Sequence, residues 1–149
     1  MTPYPSFGEA GRLLGAKVLD CGEFFDACVI GLNARGQIVG AAVAAALRVA
    51  CQPVAIVKSE SSVATTDLPD TLGRTVVIVD DGVESGSAAR TIGREVRATG
   101  ASKIILAVPV CPERLMEELA GVYDELVILH ACTDAIGLDG HYQDFDRLS

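Results

Sequence analysis

The stretch that most constrains this chain is Thr75 to Gly93, TVVIVDDGVESGSAARTIG, which reads as a buried strand, a tight turn and the start of a helix. Val76 to Val79 is an unbroken β-branched run, the pattern of a strand covered on both faces in a parallel sheet. Asp80 and Asp81 end it, so two adjacent carboxylates stand where the strand leaves the sheet. There they can accept hydrogen bonds from a sugar diol or help hold a hydrated divalent cation. Gly82 and Gly86 free the backbone to curl, and Ser85 and Ser87 bring hydroxyls beside the N–H groups that open the helix. Unpaired N–H groups and the helix dipole converge on such a turn, which makes it a cradle for phosphate.

Strands and helices alternate on either side of this stretch. Phe7 to Leu19 has helical spacing, with Ser6 as cap and Glu9 at capping-box distance. Ala27 to Leu32 is a short apolar strand. Gly31 to Leu47, GLNARGQIVGAAVAAAL, is a turn leading into an alanine-rich helix whose small side chains permit close packing on a sheet. Pro53 to Val57 is the next strand, ending in Lys58, and Ser59 to Gly73 reads as a mobile polar loop. Beyond the central stretch come a helix over Ala88 to Thr99 stopped by Gly100, a strand over Lys103 to Val108, a helix over Pro112 to Ala120 and a strand over Glu125 to His130. The alternation predicts an α/β fold, a single-domain doubly wound and mainly parallel sheet over residues 1–149 with helices on both faces. Ligands of such folds bind at the carboxyl ends of the strands, and Asn33, Lys58, Asp80 and Asp81 are all expected there.

Composition narrows the function. With 149 residues the chain buries a core without staples. The mean hydropathy of +0.37 raises the question of a membrane, yet the longest apolar stretch, Ile38 to Leu47, is too short to span one. Met1 to Phe7 holds two prolines and no basic residue, so no signal peptide is expected. A formal net charge of −8 argues against nucleic acid as partner, since phosphate backbones need a basic face. Five cysteines without a C-x-x-C pair indicate neither a zinc site nor a disulfide framework; they read as small core hydrophobes in a reducing cytoplasm. His130, Cys132 and Asp134 alternate along a strand end, which admits a metal cluster as well as ordinary burial.

At Asp80 to Ala88 the sequence resembles the type I phosphoribosyltransferases, whose fingerprint is a hydrophobic strand, two acids, a few small or apolar residues and a Thr-Gly turn. The resemblance implies that Asp80 and Asp81 hold the ribose of phosphoribosyl pyrophosphate (PRPP), with Mg2+ bound near both, mostly indirectly. Gly82, Val83, Glu84, Ser85, Gly86, Ser87 and Ala88 would complete the ribose and 5′-phosphate site. Ser85 stands where the family usually has Thr, and Ala88 where Ser or Thr is common. Glu84 occupies the position at which 6-oxopurine enzymes carry an acid/base carboxylate, so it and Asp81 are the catalytic candidates; Glu84 also suits the helix dipole. A receiver domain, in which an acid pair follows the first strand, fits less well, and no G-x-G-x-x-G follows the first strand as dinucleotide folds require.

Two further blocks extend the resemblance. Asn33, Ala34, Arg35 and Gly36 are similar to the pyrophosphate loop of adenine-type enzymes, a family that often holds the equivalent of the Ala34–Arg35 peptide in cis, and Asn33 replaces a usual Glu. Lys58 would be a second cation for pyrophosphate. The tail 134–149, with Ile136, Tyr142 and Phe145, is similar to the close of small bacterial phosphoribosyltransferases and would be either a base-selecting hood or core anchors. The implied partners are PRPP and a nitrogenous base, the implied assembly a homodimer. The polar loop 59–73 is shorter than the lid of the family, which leaves a non-catalytic PRPP- or nucleotide-binding regulator as the alternative function.

Overall fold

The computed structural model describes residues 6–22, 27–58, 63–65, 68–83 and 86–132. Its first helix, α1 (Phe7–Leu19), is capped by Ser6, whose Oγ accepts the Glu9 N–H at 3.1 Å. The Glu9 carboxylate pairs with Arg12. Phe7, Ala10, Gly11, Leu14, Gly15 and Val18 form one buried stripe at helical spacing.

β1 (Cys28–Leu32) is buried throughout and runs directly into α2 (Asn33–Leu47). The expected turn is reduced to one residue: Asn33 adopts φ 58°, a left-handed conformation that Asn tolerates better than most side chains. Small residues on α2 pack against α1 as well as the sheet. A Cβ on Gly11 would meet Ala42 Cβ at 2.7 Å, and one on Gly15 would meet Ala46 Cβ at 2.8 Å.

The strand expected over Pro53 to Val57 is divided. β2 (Cys51–Val54) pairs with β1, and β3 (Ile56–Lys58) leaves to pair antiparallel with β4 (Val63–Thr65). Pro53 has no N–H to donate and sits on an edge strand, where that loss is tolerated. The segment expected as a loop over Ser59 to Gly73 therefore contains a strand, and β4 runs next to α3 (Ser87–Ala98). Its end is also fixed, since Gly73 N–H donates to Gly100 O at 2.9 Å and Thr71, buried, bonds Thr99.

β5 (Thr75–Val79) is central, with β6 (Lys103–Pro112), α4 (Glu113–Ala120) and β7 (Glu125–Cys132) completing the chain of elements. Pro112, expected inside α4, is its N-cap. Five parallel strands take the order β2-β1-β5-β6-β7, and helices cover both faces as expected. Val77 and Val79 face the α1/α2 layer with Leu14, Val39 and Val43. Val76 and Ile78 face the α3/α4 layer with Ile92, Val96 and Leu119, as a period of two dictates.

Two features shape the carboxyl edge. The chain turns from β1 to β2 on one side and later takes β5 on the other, so the β1 and β5 exits diverge and open a crevice between them. In addition, β6 outlasts β5: their pairing ends at Val79 and Ala107, whereas β6 continues to Pro112 against β7.

Candidate functional site

The crevice is lined by the residues that follow β1 and β5. Asp80 Oδ1 accepts the Asp81 N–H at 2.8 Å, which fixes the first carboxylate against the chain it terminates. Asp81 is 7% exposed and stands 3.9 Å from Arg35 Nη1, so an acid of one exit faces the guanidinium of the other. Gly36 explains how the two approach. A Cβ there would lie 3.0 Å from Val79 O, 3.1 Å from Asp80 Oδ1 and 3.2 Å from Asp80 Cα. Gly31 and Gly40 continue this bare surface around Cys51 Sγ, which lies 2.9 and 3.0 Å from the Cβ positions that those two residues lack. Burial pushes the Cys51 thiol upward.

After the acids, Gly82 and Val83 are buried, and Val83 N–H donates to Val110 O at 3.1 Å on the part of β6 that outlasts β5. Gly86 takes φ 85° as the N-cap of α3, with Ser87 and Ala88 as its first residues. The first turn of α3 is held from behind: Tyr123 Oη donates to Ala89 O at 2.7 Å, and its ring packs where a Cβ on Gly93 would be. Burial, and secondarily the Asp80 charge, raises the Tyr123 phenol and keeps it neutral. Arg90, one residue further along, pairs with Glu118 of α4 at 2.7 Å.

Of the residues singled out from the sequence, Asn33, Ala34, Arg35 and Gly36 follow β1 and Asp80, Asp81, Gly82 and Val83 follow β5; Gly36 lies against Asp80 and Arg35 faces Asp81, with Gly86, Ser87 and Ala88 opening α3 beyond them. Asn33 to Gly36 form the first helical turn of α2 rather than a loop, and no peptide among the described residues is cis. Lys58 ends β3 in the hairpin, outside the five-stranded sheet. Glu84, Ser85 and the tail from 133 onward, including Ile136, Tyr142 and Phe145, lie outside the described residues. Tyr123 and Arg90 were not legible as site residues, because both are distant in sequence or hidden on a helix face. The Gly31, Gly36 and Gly40 spacing was the one available sign of the close approach.

The five cysteines are free thiols; Cys28, Cys111 and Cys132 are buried, whereas Cys21 and Cys51 are half-buried. Among the described residues no group of three or more His, Cys, Asp or Glu side chains could hold a metal. Asp80 and Asp81 nonetheless fit magnesium, which takes one or two carboxylates and fills its remaining positions with water and phosphate oxygens. No helix among the described residues is long and apolar enough to cross a membrane.

The phosphoribosyl transferase domain family matches residues 8–129. A protein of Mycobacterium tuberculosis strain H37Rv, provisionally named a phosphoribosyl transferase, is 38% identical over 77 residues. That alignment covers 52% of this chain and 17% of the relative, so the chain spans only about a sixth of the relative's length. The crystal structure of TT1426 from Thermus thermophilus superposes with a TM-score of 0.83 at 21% identity, covering 97% of this chain and 92% of that one. A purine phosphoribosyltransferase from Pyrococcus horikoshii superposes with a TM-score of 0.64 at 20% identity, over 88% of this chain and 92% of that one. At such identities these likenesses concern the fold.

Proposed function

The chain belongs to the phosphoribosyl transferase family, and from that premise we propose that it transfers the ribose 5-phosphate of PRPP to a nitrogenous base with release of pyrophosphate. The observation that carries this reading is the contact between the two exits of the crevice, where the first turn of α2 lies against Asp80 and Arg35 faces Asp81. One end offers helix N–H groups and a guanidinium to an anion; the centre offers two carboxylates to a diol; the other end offers the N-terminus of α3 to a phosphate.

In this arrangement a ring nitrogen of the base attacks C1 of the ribose while the bond from C1 to the pyrophosphate oxygen breaks. Pyrophosphate departs with the bonding pair, and the proton of the attacking nitrogen passes to a base, for which Glu84 is the candidate. Asp80 and Asp81 accept hydrogen bonds from the ribose hydroxyls and so fix C1 in line. Arg35 and the amides of Ala34 and Gly36 neutralise the leaving group as its charge grows. Asp80 and Asp81 would hold magnesium through its water shell, where it neutralises phosphate charge. Lys58, at the end of β3, is the second cation of this proposal. A cytoplasmic homodimer completes the proposal, and light scattering on the purified protein tests that assembly.

The test is calorimetric titration with PRPP and magnesium, followed by assay of pyrophosphate release across a panel of nucleobases. Micromolar binding and release with at least one base support transfer. Binding without release on any base points to the regulatory alternative, and no binding removes both.

A further inference from the structure

Arg90 is the fourth residue of α3, and helical side chains lean back toward the N-terminus. Its guanidinium accordingly returns to the turn that opens the helix. A Cβ placed on Gly86 would stand 2.8 Å from Arg90 Nη1, with Leu115 Cδ1 of α4 3.5 Å away. Gly86 is needed for its φ of 85°, and the guanidinium, the far end of a flexible side chain, rests in the space beside it. Arg90 Nη1 also pairs with Glu118 Oε1 at 2.7 Å, and the Arg90 side chain is 23% exposed, so the cation is wedged between the turn and α4.

This placement is electrostatically unusual. A cation beside the first turn of a helix faces the positive end of the dipole, the arrangement that helices ordinarily avoid. Glu118 offsets the repulsion from one side, and an anion seated on the turn would offset it from the other. The guanidinium has five donors in a planar fork; Glu118 engages Nη1, and Nε and Nη2 carry the donors that a second acceptor would use. Ala88 brings no polar group to the turn, so Arg90 is the side chain that supplies positive charge there.

We propose that Arg90 is a binding residue for a sugar phosphomonoester on the Gly86–Ala88 turn, and that Glu118 is the positioning residue that holds it in place. The inference rests on the reading of that turn as the 5′-phosphate cradle, and it adds a preference: the charge sits at the phosphomonoester end of the crevice and not at the Arg35 end.

Calorimetry with ribose 5-phosphate and, separately, with magnesium pyrophosphate distinguishes the two ends. Arg90→Gln is expected to weaken ribose 5-phosphate about tenfold, the usual loss for a charge-assisted hydrogen bond, while pyrophosphate affinity stays within about twofold. Arg90→Lys should recover part of the loss, and Glu118→Gln should weaken ribose 5-phosphate by less than Arg90→Gln. If Arg90→Gln proves unstable, the lysine and Glu118→Gln variants carry the comparison. Unchanged ribose 5-phosphate affinity in Arg90→Gln, or equal loss of both ligands, overturns the role of Arg90 and leaves the cradle standing. Wild-type protein that binds pyrophosphate but no ribose 5-phosphate overturns the cradle and Arg90 together.

Discussion

Gly36 and Asp80 are in main-chain contact: a methyl group on the glycine would come within 3.2 Å of the aspartate Cα and 3.0 Å of the preceding carbonyl. Both neighbours belong to the end of the central strand and cannot move aside as a flexible side chain would. Gly36→Ala is expected to cost about 1–3 kcal/mol of stability, as overpacking does, and to separate the two exits of the crevice. Urea unfolding reads the first effect. Titration with PRPP reads the second, and a variant that binds as the wild type does would show that the contact is not part of the site.

Asp80→Asn and Asp81→Asn should each weaken PRPP about tenfold, the loss expected for a hydrogen bond to a charged acceptor. Asp81→Asn additionally removes the negative charge that faces Arg35. Calorimetry is the measurement, with circular dichroism to establish that each variant is folded. Full affinity in the double variant would end the assignment of the diol to these acids.

Tyr123→Phe deletes the donor to Ala89 O and should cost about 1 kcal/mol. The alkaline side gives a sharper test. The folded phenol titrates above its unfolded value of about 10, so its contribution is complete below that pH and is lost as pH rises beyond it. Ultraviolet titration should find one of the three tyrosines protonated until the protein unfolds, and Tyr123→Phe should remove that signal.

Asp124 gives the acid counterpart. Its Oδ2 accepts the Ile104 N–H at 2.8 Å and Arg97 Nη2 at 3.2 Å, and these bonds, the main-chain one foremost, hold the carboxyl below its ordinary range. A lowered value means stability present above about pH 4 and lost as pH falls through the folded value. Asp124→Asn should lower the melting temperature by a few degrees at pH 7 and flatten the decline in stability below pH 4.

Arg48 ends α2 with φ 62° and ψ 41°, a left-handed cap that glycine adopts without steric cost, and its side chain is exposed. Arg48→Gly should therefore stabilise the protein by about 1 kcal/mol in urea unfolding, with PRPP affinity unchanged.

The layered fold was readable because its signals are local. Val76 to Val79 could only be a doubly covered strand, and the order of strands and helices left few topologies. The junctions were harder. One Asn at positive φ replaced an expected turn before α2, and the strand expected over Pro53 to Val57 was divided after Val54, where the chain leaves β1 for the hairpin. Val63 to Thr65, embedded among serines and threonines, carried too little apolar signal to be recognised as a strand. Asp80 and Asp81 were visible as candidate site residues because the motif is contiguous. Tyr123 and Arg90 act through contacts made only once α3 and α4 pack together, and no spacing in the sequence encodes that.

The extra length of β6 beside β5 makes the sheet edge uneven on the two sides of the crevice between β1 and β5. Main chain rises on one flank and stops short on the other, so a molecule lying across the gap meets different surroundings when turned end for end. A ligand seated there would be oriented by the scaffold itself, before any side chain at the rim took part.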